Sequence, residues 1–205
     1  MTDALLFDLG GVIMEIDRMR AVEAFAAMGM SDADGFFDPY LQRGLFGRLE
    51  EGLISADEFR GEVRPLFGRP VSDAEIDAGL CRFLIGIPPE RLERLAALRR
   101  KGYKVCMLSN TNPIMWDEFI LPEFRKEGGD VNDYFDGIVT SFGARCCKPD
   151  RRIFDHACEA QGLDPSCTLF FDDGPANIEA ARKLGFKTAL VAPQNDFMAL
   201  TGRLL

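Results

Sequence analysis

The organisation of the chain is clearest in residues 168–185, which read TLFFDDGPANIEAARKLG. The apolar run 168–172 has the length and the Leu and Phe content of a buried strand, and residues 176–184 follow with a helical period. Gly185 stands where a helix C-cap is expected. This stretch predicts a strand, then a turn that carries two acids, then a helix.

The same alternation extends along the chain. Strands are predicted at 4–8, 103–108, 137–141, 168–172 and 187–191, and clear helical patterns occupy 89–101 and 150–161. Strands that alternate with helices, and are apolar enough to be covered on both faces, indicate an α/β fold with a doubly wound, Rossmann-like parallel sheet. Ligands bind such sheets beyond the carboxyl ends of the strands.

One long region breaks the alternation. Between the first two strands of the series there is no good strand, and helices are predicted at 18–28, 39–49, 56–67 and 73–83. Two of them begin with capping boxes, Ser55 with Glu58 and Ser72 with Glu75. We predict a core in residues 1–16 and 86–205, and an inserted all-helical cap domain in residues 17–85, placed to act as a lid.

The bulk composition limits the partners. The 205 residues are 47% hydrophobic, and 33 acids against 24 Lys and Arg give a net charge of -9. This length suits one domain with a modest insertion. The negative charge argues against binding to a nucleic-acid backbone or an anionic membrane. We expect a small metabolite as partner, no nucleic acid, no membrane, and a monomer or weak homodimer.

The chain has no feature of a membrane or exported protein. No window approaches the roughly 20 apolar residues of a membrane span, and the first residues do not resemble a signal peptide. We therefore expect a cytoplasmic protein. Its cysteines show no CxxC spacing and are predicted to be free thiols; they are Cys81, Cys106, Cys146, Cys147, Cys158 and Cys167.

Four short polar motifs follow apolar runs. They read FDLGGV at 7–12, LSNT at 108–111, CKPD at 147–150 and FDDGPAN at 171–177. Together they supply a carboxylate nucleophile, a hydroxyl donor, a fixed cation and an acid pair, which is the equipment for phosphoryl transfer through an aspartyl-phosphate. Each motif alone also fits a turn or a helix start, so the prediction depends on their joint order and placement.

The acids among these motifs predict a magnesium site. Mg²⁺ prefers oxygen ligands in octahedral geometry and keeps several waters. Asp8, Asp173 and the Gly10 carbonyl are the candidate direct ligands, with Asp172 acting through water. Asp8 has a second predicted role as the nucleophile.

The remaining two motifs offer groups for a phosphate. The Ser109 hydroxyl can hydrogen-bond a phosphate oxygen, and the Lys148 ammonium can offset charge on the transferring group. An acidic protein that binds an anion needs such a local cation.

The four motifs resemble those of the haloacid dehalogenase superfamily over essentially the whole chain, and the helical insertion is similar to that family's alpha-helical cap. Residues 7–16, 109–113, 148–154 and 171–185 look like the subgroup that contains bacterial sugar-1-phosphate phosphatases. The resemblance implies a Mg²⁺-dependent phosphatase that acts on a small phosphorylated metabolite, with a sugar phosphate as the first candidate.

The resemblance also implies roles for single residues. Asp8 would be transiently phosphorylated, with Ser109 and Lys148 as its catalytic partners. Asn177 and Asn110 would support the residues that contact the phosphate and the metal. The implied substrate-binding set is Ser109, Asn110, Lys148 and Gly11, and the implied metal set is Asp8, Gly10, Asp173 and Asp172.

The sequence departs from the family at Gly10. Most phosphatases of the family carry an Asp two residues after the nucleophile, as general acid and then general base. Its absence can be met by a leaving group of low pKa or by an acid from another segment. Glu15 and Asp17 are candidates by proximity in sequence.

Two other functions stay open. A 2-haloacid dehalogenase would use Asp8 as a nucleophile at carbon without metal, although that group usually has Tyr at the position of Gly10. A non-catalytic descendant would bind a phosphometabolite or a protein.

Two segments are predicted to tune specificity. Residues 45–54, with Arg48 and Glu50, resemble the part of the cap that faces the active site. The long connection 112–133 carries Trp116, which we expect to shield the site or to pack beneath it.

Overall fold

A five-stranded parallel sheet forms the centre of the computed structural model, which describes residues 2–37, 44–126 and 128–205. The sheet order is β5-β4-β1-β6-β7, with every neighbouring pair parallel. The strands are β1 (Ala4–Phe7), β2 (Glu15–Ile16), β3 (Leu84–Gly86), β4 (Lys104–Ser109), β5 (Gly137–Thr140), β6 (Thr168–Asp172) and β7 (Lys187–Leu190). The predicted doubly wound α/β fold is confirmed, and the five predicted strands agree with the observed ones to within one residue at each end.

Helices connect the strands and cover both faces of the sheet. In chain order they are α1 (Arg18–Ala27), α2 (Ala33–Phe36), α3 (Leu45–Glu50), α4 (Ala56–Val63), α5 (Asp73–Cys81), α6 (Pro89–Arg100), α7 (Pro113–Met115), α8 (Leu121–Arg125), α9 (Val131–Tyr134), α10 (Ser141–Ala144), α11 (Arg151–Gln161), α12 (Pro175–Lys183) and α13 (Phe197–Gly202).

Burial on both faces explains why the strands are apolar throughout. All four residues of β1 are buried, and they alternate between two separate hydrophobic clusters. Leu5 and Phe7 belong to the cluster that includes α6, while Leu6 belongs to the cluster that includes α11 and α12. The Phe7 and Phe171 rings stack with centroids 4.6 Å apart, which ties β1 to β6 directly below the site.

The segment from α1 to α5 is a helical insertion (residues 17–85) between β1 and β4. Both predicted capping boxes are present: Ser55 and Glu58 close the start of α4, and Ser72 and Glu75 close the start of α5. Phe25 on α1 is fully buried and packs against several other Phe rings of the insertion. The buried residues of the insertion belong to the same hydrophobic cluster as Leu5 and Phe7 of β1, so the insertion packs continuously with one face of the sheet.

Two features of the insertion differ from the prediction or escape it. The expectation of no strand in this region was wrong, because β2 and β3 pair antiparallel at the two ends of the insertion. Such short strands give too little periodicity to detect. The helix predicted at 39–49 falls partly on residues 38–43, which lie outside the described residues; α3 is the part that the structure describes.

Residues 113–125 of the long connection 112–133 are helical. They comprise α7, a π-helical turn at Trp116–Ile120, and α8. Across the described ranges, no helix has the length and apolar character needed to cross a membrane. All six cysteines are free thiols, as predicted.

Candidate active site

The carboxyl ends of three adjacent strands bring the motif residues together. In the order β4-β1-β6, β4 ends at Ser109, Asp8 follows β1, and β6 ends at Asp172. The parallel registers pair Phe7 with both Met107 and Phe171, so the three strand ends lie side by side. The topology of the sheet thus assembles groups that are far apart in sequence.

Lys148 is the cation of this cluster and is almost completely buried, with 1% of its surface exposed. Its Nζ lies 2.8 Å from Asp8 Oδ1 and 2.7 Å from Asp172 Oδ2. Burial alone would lower the pKa of Lys148, but the charges of Asp172 and Asp8 outweigh it and raise the pKa. Lys148 is therefore held as a fixed positive charge beside the predicted nucleophile.

Asn110 holds the backbone of Lys148 in place. Its Nδ2 donates to the Lys148 carbonyl at 3.0 Å, and its Oδ1 accepts from the Lys148 backbone N–H at 2.8 Å. Asn110 also lines the cavity described below. The residue predicted to contact substrate thus has its amide engaged with the lysine loop.

Asp172 is fully buried and both of its carboxylate oxygens are occupied. Oδ2 pairs with Lys148, while Oδ1 accepts from the Gly174 backbone N–H at 2.7 Å and from Asn177 Nδ2 at 2.9 Å. These contacts orient Lys148 and fix the turn into α12. Asn177 was predicted to support the site, and it contacts Asp172 through this hydrogen bond.

The oxygens that could hold a cation are grouped at the same point. Carboxylate oxygens of Asp8, Asp172 and Asp173 lie within 4.8 Å of one another. Asp8 Oδ1 accepts from the Leu9 backbone N–H at 2.7 Å and pairs with Lys148. Among the residues that the structure describes, Asp8 Oδ2 and the Gly10 carbonyl have no hydrogen-bond partner. This all-oxygen set fits the ligand preference of Mg²⁺.

The close approach of acids changes their proton affinity. Burial raises the pKa of Asp8 to about 7, opposed by Lys148 and reinforced by the charges of Asp172 and Asp173. Burial and the neighbouring Asp172 also raise the pKa of Asp173. A divalent cation would relieve this repulsion between carboxylates, so the cluster is electrostatically suited to one.

Gly11 lets the loop pass under the acids. Its φ is +72°, in the left-handed region, and a Cβ at this position would overlap the Asp173 carboxylate. Gly11 was predicted to contact substrate. In the structure, its lack of a side chain leaves room for the Asp173 carboxylate.

A cavity of about 260 Å³ lies above the strand ends, between the sheet and the helical insertion. Asp8, Ser109 and Asp173 form part of its floor. Its apolar wall includes Ile16, Phe36, Phe37, Phe46, Phe83 and Met115. Among the described residues of the insertion, Arg18 and Glu50 are the charged side chains that line it. The cavity can enclose a small molecule whose phosphate sits at the strand ends.

The two acids proposed from sequence to replace the missing one at Gly10 are engaged elsewhere. Asp17 caps α1 by accepting from the Met19 backbone N–H at 2.9 Å. Glu15 is half exposed and faces Arg91 at 3.6 Å. Neither acid lines the cavity.

The specificity candidates separate into two groups. Glu50 lines the cavity, whereas Arg48 pairs with Glu62 at 3.0 Å. Trp116 packs edge-to-face on Phe142, with ring centroids 6.4 Å apart. Neither Arg48 nor Trp116 is part of the described cavity wall.

Arg18 is a charged cavity residue that sequence reasoning missed. It is the first residue of α1, and its guanidinium pairs with Asp34 at 2.7 Å. A charged residue at a helix start gives no signal that it will face a cavity, since that depends on how the insertion packs on the core.

Comparisons with known proteins agree with this geometry. A family model described as haloacid dehalogenase-like hydrolase matches residues 2–185. A D-ribitol-5-phosphate phosphatase of Bacteroides thetaiotaomicron is 42% identical over 188 residues, covering 92% of this chain and 91% of the relative. An (S)-2-haloacid dehalogenase of a Pseudomonas species is 30% identical over 196 residues, covering 91% and 81%.

Comparison with solved structures finds enzymes of the same family. A crystal structure of a HAD family enzyme from Bacteroides thetaiotaomicron, wild type in complex with magnesium and inorganic phosphate, superposes with a TM-score of 0.90. That enzyme is 37% identical, and the match covers 98% of this chain and 99% of the other.

Proposed function

Because the chain belongs to the haloacid dehalogenase-like hydrolases, we propose that it is a Mg²⁺-dependent phosphatase that cleaves a small phosphomonoester through an aspartyl-phosphate on Asp8. The first substrate candidates are phosphorylated sugars and sugar alcohols, since a relative with 42% identity acts on D-ribitol 5-phosphate. The prediction of a phosphatase of this family is confirmed by the comparisons.

The pairing of Asp8 with Lys148 is the observation that carries the proposal. A nucleophilic carboxylate has to approach a phosphate dianion, and a buried cation 2.8 Å from it offsets that repulsion. The pair lies on the floor of a cavity that also offers the Ser109 hydroxyl. A purely structural ion pair would not need an open cavity above it.

The residues then divide the chemistry as follows. A carboxylate oxygen of Asp8 attacks phosphorus, while Ser109 and Lys148 hold the equatorial oxygens of the transferring group. Asn110 and Asp172 keep Lys148 in position through the contacts described above. Water then hydrolyses the aspartyl-phosphate and restores Asp8.

The free oxygens of Asp8, Gly10 and Asp173 would hold Mg²⁺. When bound, the ion supplies neutralising charge for the phosphoryl oxygens and orients them for in-line attack. Asp172 lies behind these groups, with both of its oxygens held by protein partners.

The domain division is part of the proposal. Residues 1–16 and 86–205 form the catalytic core, and residues 17–85 form the cap. The antiparallel pair of β2 and β3 supports these boundaries, because it brings the two ends of the insertion together beside the site. The apolar wall of the cap excludes water from the reaction.

The alternatives are less supported. The relative with dehalogenase activity has lower identity than the phosphatase, 30% against 42%. An oxygen cluster suited to Mg²⁺ is also unnecessary for displacement at carbon. The monomeric or weakly dimeric state and the cytoplasmic location remain predictions.

The test is phosphate release from sugar phosphates, sugar-alcohol phosphates, nucleotides, FMN and p-nitrophenyl phosphate, with Mg²⁺ and with EDTA. Wild type should turn over at least one of these substrates with Mg²⁺ and none of them with EDTA. In Asp8→Asn, kcat should fall about 10⁴-fold or more. Asp57→Asn is the matched control, since the Asp57 side chain is 93% exposed. Metal-independent chloride release from a 2-haloacid would contradict the proposal.

A further inference from the structure

The structure leaves the leaving-group oxygen without the usual proton donor. Position 10 carries no side chain, and the nearby Asp17 and Glu15 are a helix cap and an ion-pair partner away from the cavity. An alkoxide leaving group needs a proton as its bond to phosphorus breaks, and general acid catalysis contributes about 10²- to 10⁴-fold. The cavity must supply that acid from another element.

Among the described residues of the helical insertion, Glu50 is the one carboxyl group that lines the cavity. It is the last residue of α3, is partly buried, and shares the cavity wall with Asp8 and Ser109. Within the described part of the chain, its carboxyl group makes no hydrogen bond and no ion pair. A partly buried carboxyl group with no structural partner is free to transfer a proton.

We propose that Glu50 is the general acid and base of this phosphatase and replaces the side chain that Gly10 lacks. The inference rests on the proposed function, because it assigns a role within that reaction. It differs from a specificity role in that Glu50 acts on the bridging oxygen rather than on a distant part of the substrate.

Glu50, Asp8 and water account for every proton and electron pair in the proposed reaction. As Asp8 attacks phosphorus, the bond to the leaving oxygen breaks with both electrons on that oxygen, which takes the proton of the Glu50 carboxyl. The resulting Glu50 carboxylate then takes a proton from water as the water oxygen attacks phosphorus and releases Asp8. The products are the alcohol and inorganic phosphate, and Glu50 is protonated again.

The surroundings of Glu50 favour its protonated form at neutral pH. Burial raises the pKa of Glu50 to about 8, assisted by the charges of Asp8 and Glu51 and opposed by Lys148. Cys147 also interacts with Glu50, but burial raises the pKa of its thiol to about 12, so the thiol stays neutral. The free enzyme is therefore ready to donate a proton.

Position 10 has room for the acid that it lacks. Of the residues that the structure describes, a Cβ there would meet the Ile16 side chain alone, at 3.5 and 3.7 Å, which is ordinary contact. Gly10→Asp can therefore be introduced without displacing the described backbone, and it offers a direct complementation of Glu50.

The experiment compares wild type, Glu50→Gln and Gly10→Asp/Glu50→Gln on two leaving groups. D-ribitol 5-phosphate has a strongly basic alkoxide leaving group, and p-nitrophenyl phosphate has a weakly basic one. For Glu50→Gln we expect kcat/KM to fall about 10²- to 10⁴-fold on the alkyl phosphate and far less on the aryl phosphate. The double variant should recover part of the loss.

Hydrolysis of the aspartyl-phosphate gives a readout that a purely structural role of Glu50 would not change. With p-nitrophenyl phosphate, Glu50→Gln should release a burst of one nitrophenol per enzyme, because the aspartyl-phosphate forms normally and waits for a base. The kcat/KM of wild type on the alkyl phosphate should also fall above pH 8, and this limb should be absent in Glu50→Gln.

The controls separate the two levels of the proposal. Glu23→Gln makes the same substitution at an exposed site on α1 and should retain wild-type kinetics, and melting temperatures should be equal for all variants. Equal losses on both leaving groups, with no burst and no recovery by Gly10→Asp, would overturn the role of Glu50 alone. Absence of Mg²⁺-dependent turnover by wild type on every phosphate would instead overturn the proposed function.

Discussion

The backbone of Gly11 runs so close under Asp173 that a Cβ at position 11 would overlap the Asp173 carboxylate. Two properties of this glycine are therefore needed at once: a φ of +72° and the absence of a side chain. The contact ties the loop after β1 to the loop after β6, which are the two loops that carry the acid cluster.

Gly11→Ala should weaken Mg²⁺ binding. The new methyl group pushes the Asp173 carboxylate away from Asp8, and the left-handed backbone adds a strain of about 1–2 kcal/mol. Isothermal titration with Mg²⁺ measures the effect. Gly102→Ala is the matched control, since Gly102 has a φ of +100° with nothing within 4 Å. Equal loss of Mg²⁺ affinity in both variants would show that strain, not the contact with Asp173, is responsible.

Lys148→Met should damage both activity and folding. It leaves Asp8 and the fully buried Asp172 without their cation, and breaking a buried pair destabilises by about 3–5 kcal/mol. We expect kcat to fall by about 10²- to 10³-fold, as for loss of one preorganised electrostatic group. Urea unfolding and phosphate release measure the two effects.

The control for this variant is Lys183→Met, whose side chain is 73% exposed and should leave both quantities unchanged. Unfolding in Mg²⁺ adds a further check. The proposed ion site shares Asp8 with the Lys148 ion pair, so Mg²⁺ should restore part of the stability lost in Lys148→Met. A variant as stable as wild type in EDTA would contradict the importance of the ion pair.

Most of the fold could be predicted because it rests on local signals. Apolar runs bounded by turn residues marked β1, β4, β5, β6 and β7, and the capping boxes at Ser55 and Ser72 marked helix starts through contacts within four residues. The position of the motifs after apolar runs then placed Asp8, Ser109 and Asp172 at the carboxyl ends of strands, where ligands bind such sheets.

What escaped prediction depends on distant packing. The resemblance of residues 45–54 to a cap segment predicted that Arg48 and Glu50 face the active site. Glu50 does line the cavity, but Arg48 pairs with Glu62 instead, and this difference depends on how α3 packs. The two hydrogen bonds from Asn110 to the backbone of Lys148 join residues 38 positions apart. Sequence reasoning suggested Glu15 and Asp17 because proximity in the chain was the available guide.

Asn110→Ala should lower kcat more than it raises KM. It removes both hydrogen bonds that hold the Lys148 backbone, so the lysine loses its alignment with the transferring group while the cavity stays open. Loss of the two bonds should also destabilise the protein by about 1–3 kcal/mol. Steady-state kinetics and urea unfolding test this, with Asn132→Ala, at an exposed site on α9, as the control. A pure rise in KM would show that Asn110 contacts the substrate instead.

Mg²⁺ affinity should fall as the solution becomes acidic. Burial raises the pKa of Asp8 to about 7 and also raises the pKa of Asp173, so both carboxyls hold protons at a higher pH than usual. Mg²⁺ binds the carboxylate forms and must displace those protons. Below about pH 7, the pKa of Asp8, the affinity should therefore drop about tenfold per pH unit for the Asp8 proton, and it should drop more steeply wherever Asp173 is protonated as well.

Calorimetry between pH 5.5 and 8.5 checks this dependence on the metal alone. Using two buffers of different ionisation enthalpy at each pH counts the protons that Mg²⁺ releases. Glu50→Gln should keep the same slope, because Glu50 is not among the proposed ligands, whereas Asp173→Asn should bind weakly at every pH. An affinity that does not change across this range would mean that the acids are already ionised in the free protein, and Lys148 would then outweigh burial at Asp8.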